Sequence, residues 1–490
     1  MRKSGILMHI TSLPNPYGIG SVGKCAYEFV DFLHGAGQSY WQILPLSPTG
    51  YGDSPYQAFS TFAGNHYLID LDLLIAEGLL QKEEADAVCW SKDENRVDFG
   101  CLYKHRLNLL RRAYDRFVPD EAFQKFVQSN ADWLEDYALF MALKEQFRGK
   151  GWQNWSVSLM MRLPSIMESY RSDLKTSIEF HCFLQYKFFQ QWEALRRYAN
   201  EKGIRIIGDV PIYVPLDSAD VWANPKLFQL DGNGRPKLVA GCPPDSFTAD
   251  GQLWGNPLYD WDEMKKTNYA WWVRRLAAAA RMYDVVRLDH FRGFESYWAV
   301  PAGDKTAAGG SWKQGPSSDF IRVLRRALPK LEFIAEDLGF VTPEVRRLQE
   351  ESGYPGMKVM QFAFDSREES DYVPHSYPVN SVCYSGTHDN YTLVQWFQET
   401  AEADIAIAKA YLGLNEEEGM VRGVIRGCMG SVSQLCIIQM QDYLELGASA
   451  RMNFPGTLSP DNWTWRVSDG FMTSDLKKRI YETTKLYGRL

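Results

Sequence analysis

The sequence predicts an α/β protein, a closed (β/α)8 barrel of the TIM type enlarged by large, mostly helical insertions. Three observations carry this. Eight short runs dense in apolar or β-branched residues, each ended by polar, Gly or Pro residues, recur along the 490 residues. Runs of that kind read as parallel strands buried on both faces, and eight is the number that closes a (β/α) barrel. The composition, 45% hydrophobic and 23% charged, is that of an ordinary globular chain able to bury a sizeable core.

In chain order the runs are 5–13 (GILMHITSL), 40–46 (YWQILPL), 204–214 (IRIIGDVPIYV) and 285–290 (VVRLDH). The remaining four are 333–337 (FIAED), 358–364 (KVMQFAF), 381–389 (SVCYSGTHD) and 435–442 (LCIIQMQD). About 155 residues separate the second run from the third, far too many for one crossover, so 66–200 is expected to be a mostly helical insertion within a barrel spanning 1–490. Inside it Trp133, Tyr137, Phe140, Leu143 and Phe147 recur at helical spacing after Ser129 or Asn130 as cap and before Gly149. A second pattern, Phe180, Leu184, Phe188, Trp192, Leu195 and Ala199, ends at Gly203 and feeds the third strand. Residues 215–280 are expected to form another insertion, carrying a lid loop. Thr342-Pro343 opens a helix that Gly353 ends, with Pro at the first helical position and Gly past the last.

Charge and cysteine content narrow the partners. Fifty-three basic against 61 acidic side chains give −8, which predicts no nucleic-acid and no membrane partner. Eight scattered cysteines with no pair at two-residue spacing predict reduced thiols in a cytoplasm. Met1-Arg2-Lys3 mimics the start of a signal peptide, but the apolar stretch behind it is broken by His9 and Thr11 before Pro14, so none is expected. No stretch approaches the roughly 20 apolar residues of a membrane helix. Aromatic residues, at 14%, exceed what a core needs and suit a ligand with apolar faces and polar rims, such as a sugar.

Local signals for several chemistries are missing: HExxH, GxSxG, GxxxxGK[ST] and a strand followed by GxGxxG. No histidines are placed as a metal pair and no Lys ends a strand, so neither metal nor cofactor is expected. Carboxylates do end strands. In Arg287-Leu288-Asp289 the two-residue spacing puts Arg287 and Asp289 on one face, and a guanidinium beside a carboxylate favours its charged form, as a nucleophile requires. By itself the pattern more often marks a structural ion pair. Glu336, after Ile334-Ala335, has an apolar lead-in that raises a carboxyl toward a general acid, or it belongs to an acidic pair capping a helix. Asp389, beside His388 in Thr387-His388-Asp389-Asn390, is a third acid or part of a turn. Three carboxylates at the C-terminal ends of the fourth, fifth and seventh strands lie on the face where barrel enzymes assemble their sites. Neighbouring strands, about 4.8 Å apart, bring such groups near the ~5 to 5.5 Å of a retaining glycosidase. Asp209 ends the third strand, and Gly241-Cys242-Pro243-Pro244-Asp245-Ser246-Phe247 reads as a stiffened loop presenting Asp245 and Phe247 over a cleft.

At these residues the sequence resembles the 4-α-glucanotransferases called amylomaltases or disproportionating enzymes, glycoside hydrolase family 77 of the α-amylase clan. The likeness spans essentially the whole chain, through 5–20 (GILMHITSLPNPYGIG), 41–65 (WQILPLSPTGYGDSPYQAFSTFAGN), 208–222 (GDVPIYVPLDSADVW) and 241–257 (GCPPDSFTADGQLWGNP). It continues in 287–294 (RLDHFRGF), 334–339 (IAEDLG), 387–390 (THDN), 451–457 (RMNFPGT) and 462–466 (NWTWR). Cys242 and His66 stand where that family is expected to have Val and Pro, which bears only on loop detail.

The resemblance implies that Asp289 is the nucleophile, Glu336 the acid/base, and Asp389 the carboxylate that grips sugar hydroxyls and stabilises the transition state. It further implies that Arg287, His388, Asp209 and Tyr56 line the donor subsite, that Asp245 and Phe247 cover the acceptor side, and that Trp254 and Asn462 contact substrate. The implied reaction moves a segment of an α-1,4-glucan (maltooligosaccharide, amylose, starch or glycogen) through a covalent glucosyl-enzyme to the 4-hydroxyl of another glucan or glucose. A hydrolase of the same clan would use the same three carboxylates. A non-catalytic glucan-binding barrel would keep the aromatics without reason to keep all three acids.

Overall fold

The computed structural model describes residues 2–50, 52–244, 249–339 and 341–490. Among these lie strands β1 (Lys3–Leu7), β2 (Tyr40–Gln42), β3 (Arg205–Val210), β4 (Leu238–Cys242), β5 (Gln252–Pro257) and β6 (Val285–Leu288). They are followed by β7 (Ser296–Pro301), β8 (Ser311–Gln314), β9 (Glu332–Ala335), β10 (Gly356–Val359), β11 (Ser381–Tyr384) and β12 (Leu435–Gln439). Eight of them close a parallel barrel in the order β1-β12-β11-β10-β9-β6-β3-β2. Each of the eight apolar runs overlaps one barrel strand, with β1, β9 and β10 starting one or two residues ahead of their runs, so the predicted fold class stands. Buried apolar residues continue past the strand ends, as Ile10 and Ile212 do.

Local signals act where they were expected. Thr342 Oγ1 accepts from Val345 N–H at the start of the helix Pro343–Ser352, and Gly353 (φ 71°) ends it. In the insertion, Ala131–Gln146 begins after Asn130, whose side chain accepts from Trp133 Nε1 (3.2 Å) rather than from the backbone of the first turn. The helix Lys175–Glu201 presents Phe180, Leu184, Phe188, Trp192 and Leu195 to the core. It is also locked to the barrel by polar bonds: Trp192 Nε1 donates to the Met282 carbonyl (3.0 Å) and Arg196 Nη2 to Asp284 Oδ1 (2.7 Å), just ahead of β6. Gln185 exchanges two hydrogen bonds with the Gly64 backbone. Only glycine fits there, since a Cβ would stand 1.9 Å from the Phe188 ring.

The sequence reading saw nothing of a second, antiparallel sheet, β5-β4-β7-β8. Its strands pair with one another and not with the barrel, and β8 is exposed along its whole length. Ala240 and Ala299 turn one face to the main core, while Val239, Val300 and Ala307 form a small apolar cluster on the other. The sheet straddles β6, so the excursion that starts after β3 resumes beyond β6. At the opposite end of the barrel the buried Arg489 side chain donates to the carbonyls of Lys3, Met429, Ser431 and Ser433, tying β1 to the approach to β12. Among the described residues no helix is long and apolar enough to cross a membrane, and Cys25, Cys89, Cys101, Cys182, Cys383, Cys428 and Cys436 are free thiols.

Candidate active site

Strand register decides what the barrel mouth presents. β3 and β6 pair Asp209 with Arg287 and Val210 with Leu288, and β6 and β9 pair Leu288 with Ala335. Asp289 and Glu336 are thus the next residues on neighbouring strands, one step past the last pair, at the C-terminal end of the barrel. The ladder continues through them: Asp289 N–H donates to the Val210 carbonyl (3.1 Å) and Glu336 N–H to that of Leu288 (3.0 Å).

Arg287 holds two acids at once. Its Nη1 donates to Asp209 Oδ2 (2.7 Å) and to Asp289 Oδ1 (3.0 Å). The side chains of Arg287 and Asp209 are 5% and 1% exposed, whereas that of Asp289 is 26% exposed and opens toward solvent. Burial opposes the guanidinium charge, but the two carboxylates outweigh it and hold the group well above its usual pKa. Burial pushes the Asp209 carboxyl up against the pull of Arg287, and Asp289 pushes it the same way. Asp209 Oδ2 also accepts from Tyr56 Oη (2.8 Å), while Oδ1 has no partner among the described residues.

Glu336 is half-buried, and burial raises its carboxyl to about 7; Arg287 pulls down and Asp289 adds to the rise. Two backbone donors fix its orientation, His290 N–H to Oε2 (2.6 Å) and Leu338 N–H to Oε1 (3.0 Å). His290 reaches this position in the left-handed conformation (φ 50°, ψ 49°), which costs a non-glycine residue on the order of 1 kcal/mol and marks backbone held by its surroundings. Trp254 packs edge-on against the His290 ring, centroids 4.8 Å apart.

Asp389 stands on the loop between β11 and the helix Leu393–Glu399. Its Oδ1 accepts from Asn453 Nδ2 (2.6 Å), its carbonyl from Arg451 Nη2 (2.7 Å), and His388 Nε2 lies 3.3 Å from Oδ2. Burial lowers the His388 pKa, with Asp389 opposing, so the imidazole is neutral near pH 7. The loop is clamped at both ends by one acid: Asp442 accepts from Ser385 Oγ (2.6 Å) and from Leu393 N–H (2.7 Å). Gln361 Nε2 bridges the carbonyls of Ser385 (3.2 Å) and Tyr391 (2.8 Å). Tyr56 stacks on His388 (5.1 Å, 19°), and both contact Trp463, so the Asp209–Tyr56–His388–Asp389 series joins the two sides of the mouth.

The structure therefore gathers Asp289, Glu336, Asp209, Arg287 and Tyr56 into one cluster, links Asp389 and His388 to it through Tyr56, and sets Trp254 against the holder of Glu336. Asn462 differs: its amide is spent on Phe454 N–H and the Thr457 carbonyl, so it shapes the loop that delivers Asn453. Asp245 and Phe247 lie outside the described residues. The reading of the sequence passed over Asn453, Asp442 and Gln361. Arg451 and Asn453 stand in the 451–457 motif that carries the family likeness, which gave them no role of their own. Asp442 and Gln361 carry no such signal, because their partners belong to other strands.

Two acids in unlike settings, one with a guanidinium on its oxygen and one raised to about 7, is how an active site divides the work of breaking a glycosidic bond between nucleophile and proton donor. With a third acid and stacked aromatic rings beside them at a barrel mouth, the chain falls among the (β/α)8 enzymes of glycosidic-bond chemistry. Comparison with known proteins narrows the class: the model of the 4-alpha-glucanotransferase family, glycoside hydrolase family 77, matches residues 8–473, and the chain belongs to that family. The 4-alpha-glucanotransferase of Clostridium butyricum is 48% identical over 486 residues, covering 98% of this chain and 100% of the relative. That of Streptococcus pneumoniae is 49% identical over 494 residues, covering 100% and 98%. The structure of an amylomaltase from Streptococcus agalactiae in complex with acarbose superposes with a TM-score of 0.97 at 42% identity, covering 100% of both chains.

Proposed function

We propose that the chain disproportionates α-1,4-glucans by a retaining double displacement, with Asp289 as nucleophile, Glu336 as acid/base and Asp389 as transition-state carboxylate. The observation that carries this reading is the pairing of Leu288 with Ala335, from which Asp289 and Glu336 follow on adjacent strands. Strands about 4.8 Å apart match the ~5 to 5.5 Å carboxyl separation of retaining enzymes better than the wider gap of inverting ones. Glu336 protonates the glycosidic oxygen as Asp289 attacks C1, giving a β-linked glucosyl-enzyme through an oxocarbenium-like state. Glu336, now the base, takes the proton from the 4-hydroxyl of the incoming glucan or glucose, and the α-1,4 linkage is restored. Arg287, Asp209, Tyr56, His388, Trp254 and Asn462 bind or support the donor and acceptor sugars. Transfer requires the acceptor to outcompete ~55 M water, which a covered, aromatic-lined site favours by orientation and exclusion of solvent.

An α-glucan substrate is supported by the kinship with an amylomaltase solved with acarbose. A cytoplasmic location is supported by the free thiols of Cys25, Cys89, Cys101, Cys182, Cys383, Cys428 and Cys436. The test is incubation with maltotriose alone, following glucose, the oligosaccharide ladder and total reducing ends. Glucose with a ladder of longer products at constant reducing ends is expected. Rising reducing ends with shorter products only would make the enzyme a hydrolase, and no reaction would refute catalysis on this donor.

A further inference from the structure

Trp312 serves neither the barrel core nor the carboxylate cluster. It lies in β8 with 38% of its surface exposed. Its ring is nonetheless held in place. Trp298 packs edge-on against it (centroids 5.1 Å apart, 69°), and the Arg292 guanidinium stands 3.9 Å from the ring centroid. Trp298 is itself anchored through Nε1 to the Ala307 carbonyl (2.8 Å). An exposed indole whose orientation is already set loses little rotamer freedom on binding, which is what a recognition surface requires.

Register and loop contacts connect this ring to the active site. Trp298 pairs with Trp312 and with Gly241, and Gly241 pairs with Leu253. Directly paired residues project on one face, so the row across the sheet reads Leu253, bare Gly241, Trp298, Trp312, with Leu253 39% exposed. The same end of the sheet abuts the turn that follows the nucleophile. Arg292 belongs to that turn, Phe291–Phe294, and Gly315 N–H and Gln314 Nε2 both donate to the Glu295 carbonyl (2.7 Å each). One residue beyond Leu253, Trp254 faces the other way and packs on His290, the holder of Glu336. A single sheet thus runs from the acid/base to an outward apolar plate.

We propose that Trp312, backed by Trp298, is a stacking platform for distal glucosyl units of a long α-1,4-glucan, beyond the sugars held at the carboxylates. The inference rests on the glucan-transfer reading and adds a chain-length preference to it. A flat indole flanked by a guanidinium suits the apolar face and hydroxyl rim of glucose. Short oligosaccharides end before reaching the plate, whereas amylose crosses it.

The test compares wild type, Trp312→Ala and Trp312→Phe as full-length chains, measuring KM for amylose and for maltotriose and the retardation of each protein in native gels containing amylose. Trp312→Ala is expected to raise the ratio of the two KM values roughly tenfold and to lose most of the retardation, with Trp312→Phe restoring both in large part. An unchanged ratio with unchanged retardation, or an equal rise of both KM values, overturns the platform. If the wild type itself builds no ladder from maltotriose, the transfer reading fails, and retardation by amylose alone then decides whether Trp312 binds glucan.

Discussion

Asp209→Asn separates a group that touches sugar from one that acts through Arg287. The replacement is isosteric, and the side chain it alters is 1% exposed. In the wild type Asp209 Oδ2 takes two hydrogen bonds, from Arg287 Nη1 (2.7 Å) and Tyr56 Oη (2.8 Å). Bonds to a charged partner contribute about 1.5 to 3 kcal/mol and neutral ones about 0.5 to 1.5, so the loss is roughly 1 kcal/mol per bond and roughly 2 in total. Arg287 keeps Asp289, so the full 3 to 5 kcal/mol typical of breaking a buried ion pair is not expected. At about 1.4 kcal/mol per tenfold, 2 kcal/mol is roughly a thirtyfold loss of rate. Because Asp209 lies beneath Arg287 and Tyr56, the loss should fall on kcat, with KM for maltotriose within about threefold. Burial raises the wild-type Asp209 pKa, so the deficit should grow with pH, as wild type gains the charge that the variant never has. Steady-state kinetics on maltotriose between pH 5 and 9 read all three quantities. A KM raised tenfold with kcat intact would make Asp209 a sugar contact and refute the argument. Unchanged kinetics would mean that Arg287 is positioned without it.

Three further outcomes follow from neighbouring groups. Glu336 must be protonated to act as acid, so kcat/KM for transfer should fall as pH rises through about 7, and Glu336→Gln should lose on the order of 10² to 10⁴ in kcat together with that limb. The raised pKa also has a thermodynamic sign: the protonated carboxyl favours the fold below its unfolded value near 4.5, and that contribution is lost as pH rises through about 7. Thermal unfolding of Glu336→Gln against wild type across this window should show the variant declining less. Asp442→Ala leaves Ser385 Oγ and Leu393 N–H without their buried acceptor, at about 1 to 3 kcal/mol each, and frees both ends of the Asp389 loop. Transfer should drop roughly tenfold or more, with Asp442→Asn, which keeps one acceptor oxygen, in between; equal activity in all three proteins would contradict a clamp.

The barrel was legible because its evidence is local. Strands buried on both faces must be apolar along their length, and helix ends such as Thr342 and Gly353 are set by side chains within one turn. The antiparallel sheet was not, since its pairing is decided between segments on either side of β6, and β8 is exposed along its length. Within the site, Arg287 and Asp289 could be paired by spacing alone. The clamp on Asp389 could not, because Asp442 reaches Ser385 and Leu393 across 57 and 49 residues.

The amino-acid order by itself determined that Asp289 and Glu336 follow barrel strands and that Arg287 shares a face with Asp289, whereas Asp389, expected to end the seventh strand, stands on the loop beyond β11 (Ser381–Tyr384). Only the tertiary structure decided which acid is deep and which open, and who holds each. Arg287 meets Asp209 across 78 residues, and His290 meets Glu336 across 46. Burial and charge proximity are sums over neighbours from distant elements, and they, rather than residue type, divide the work among chemically similar acids.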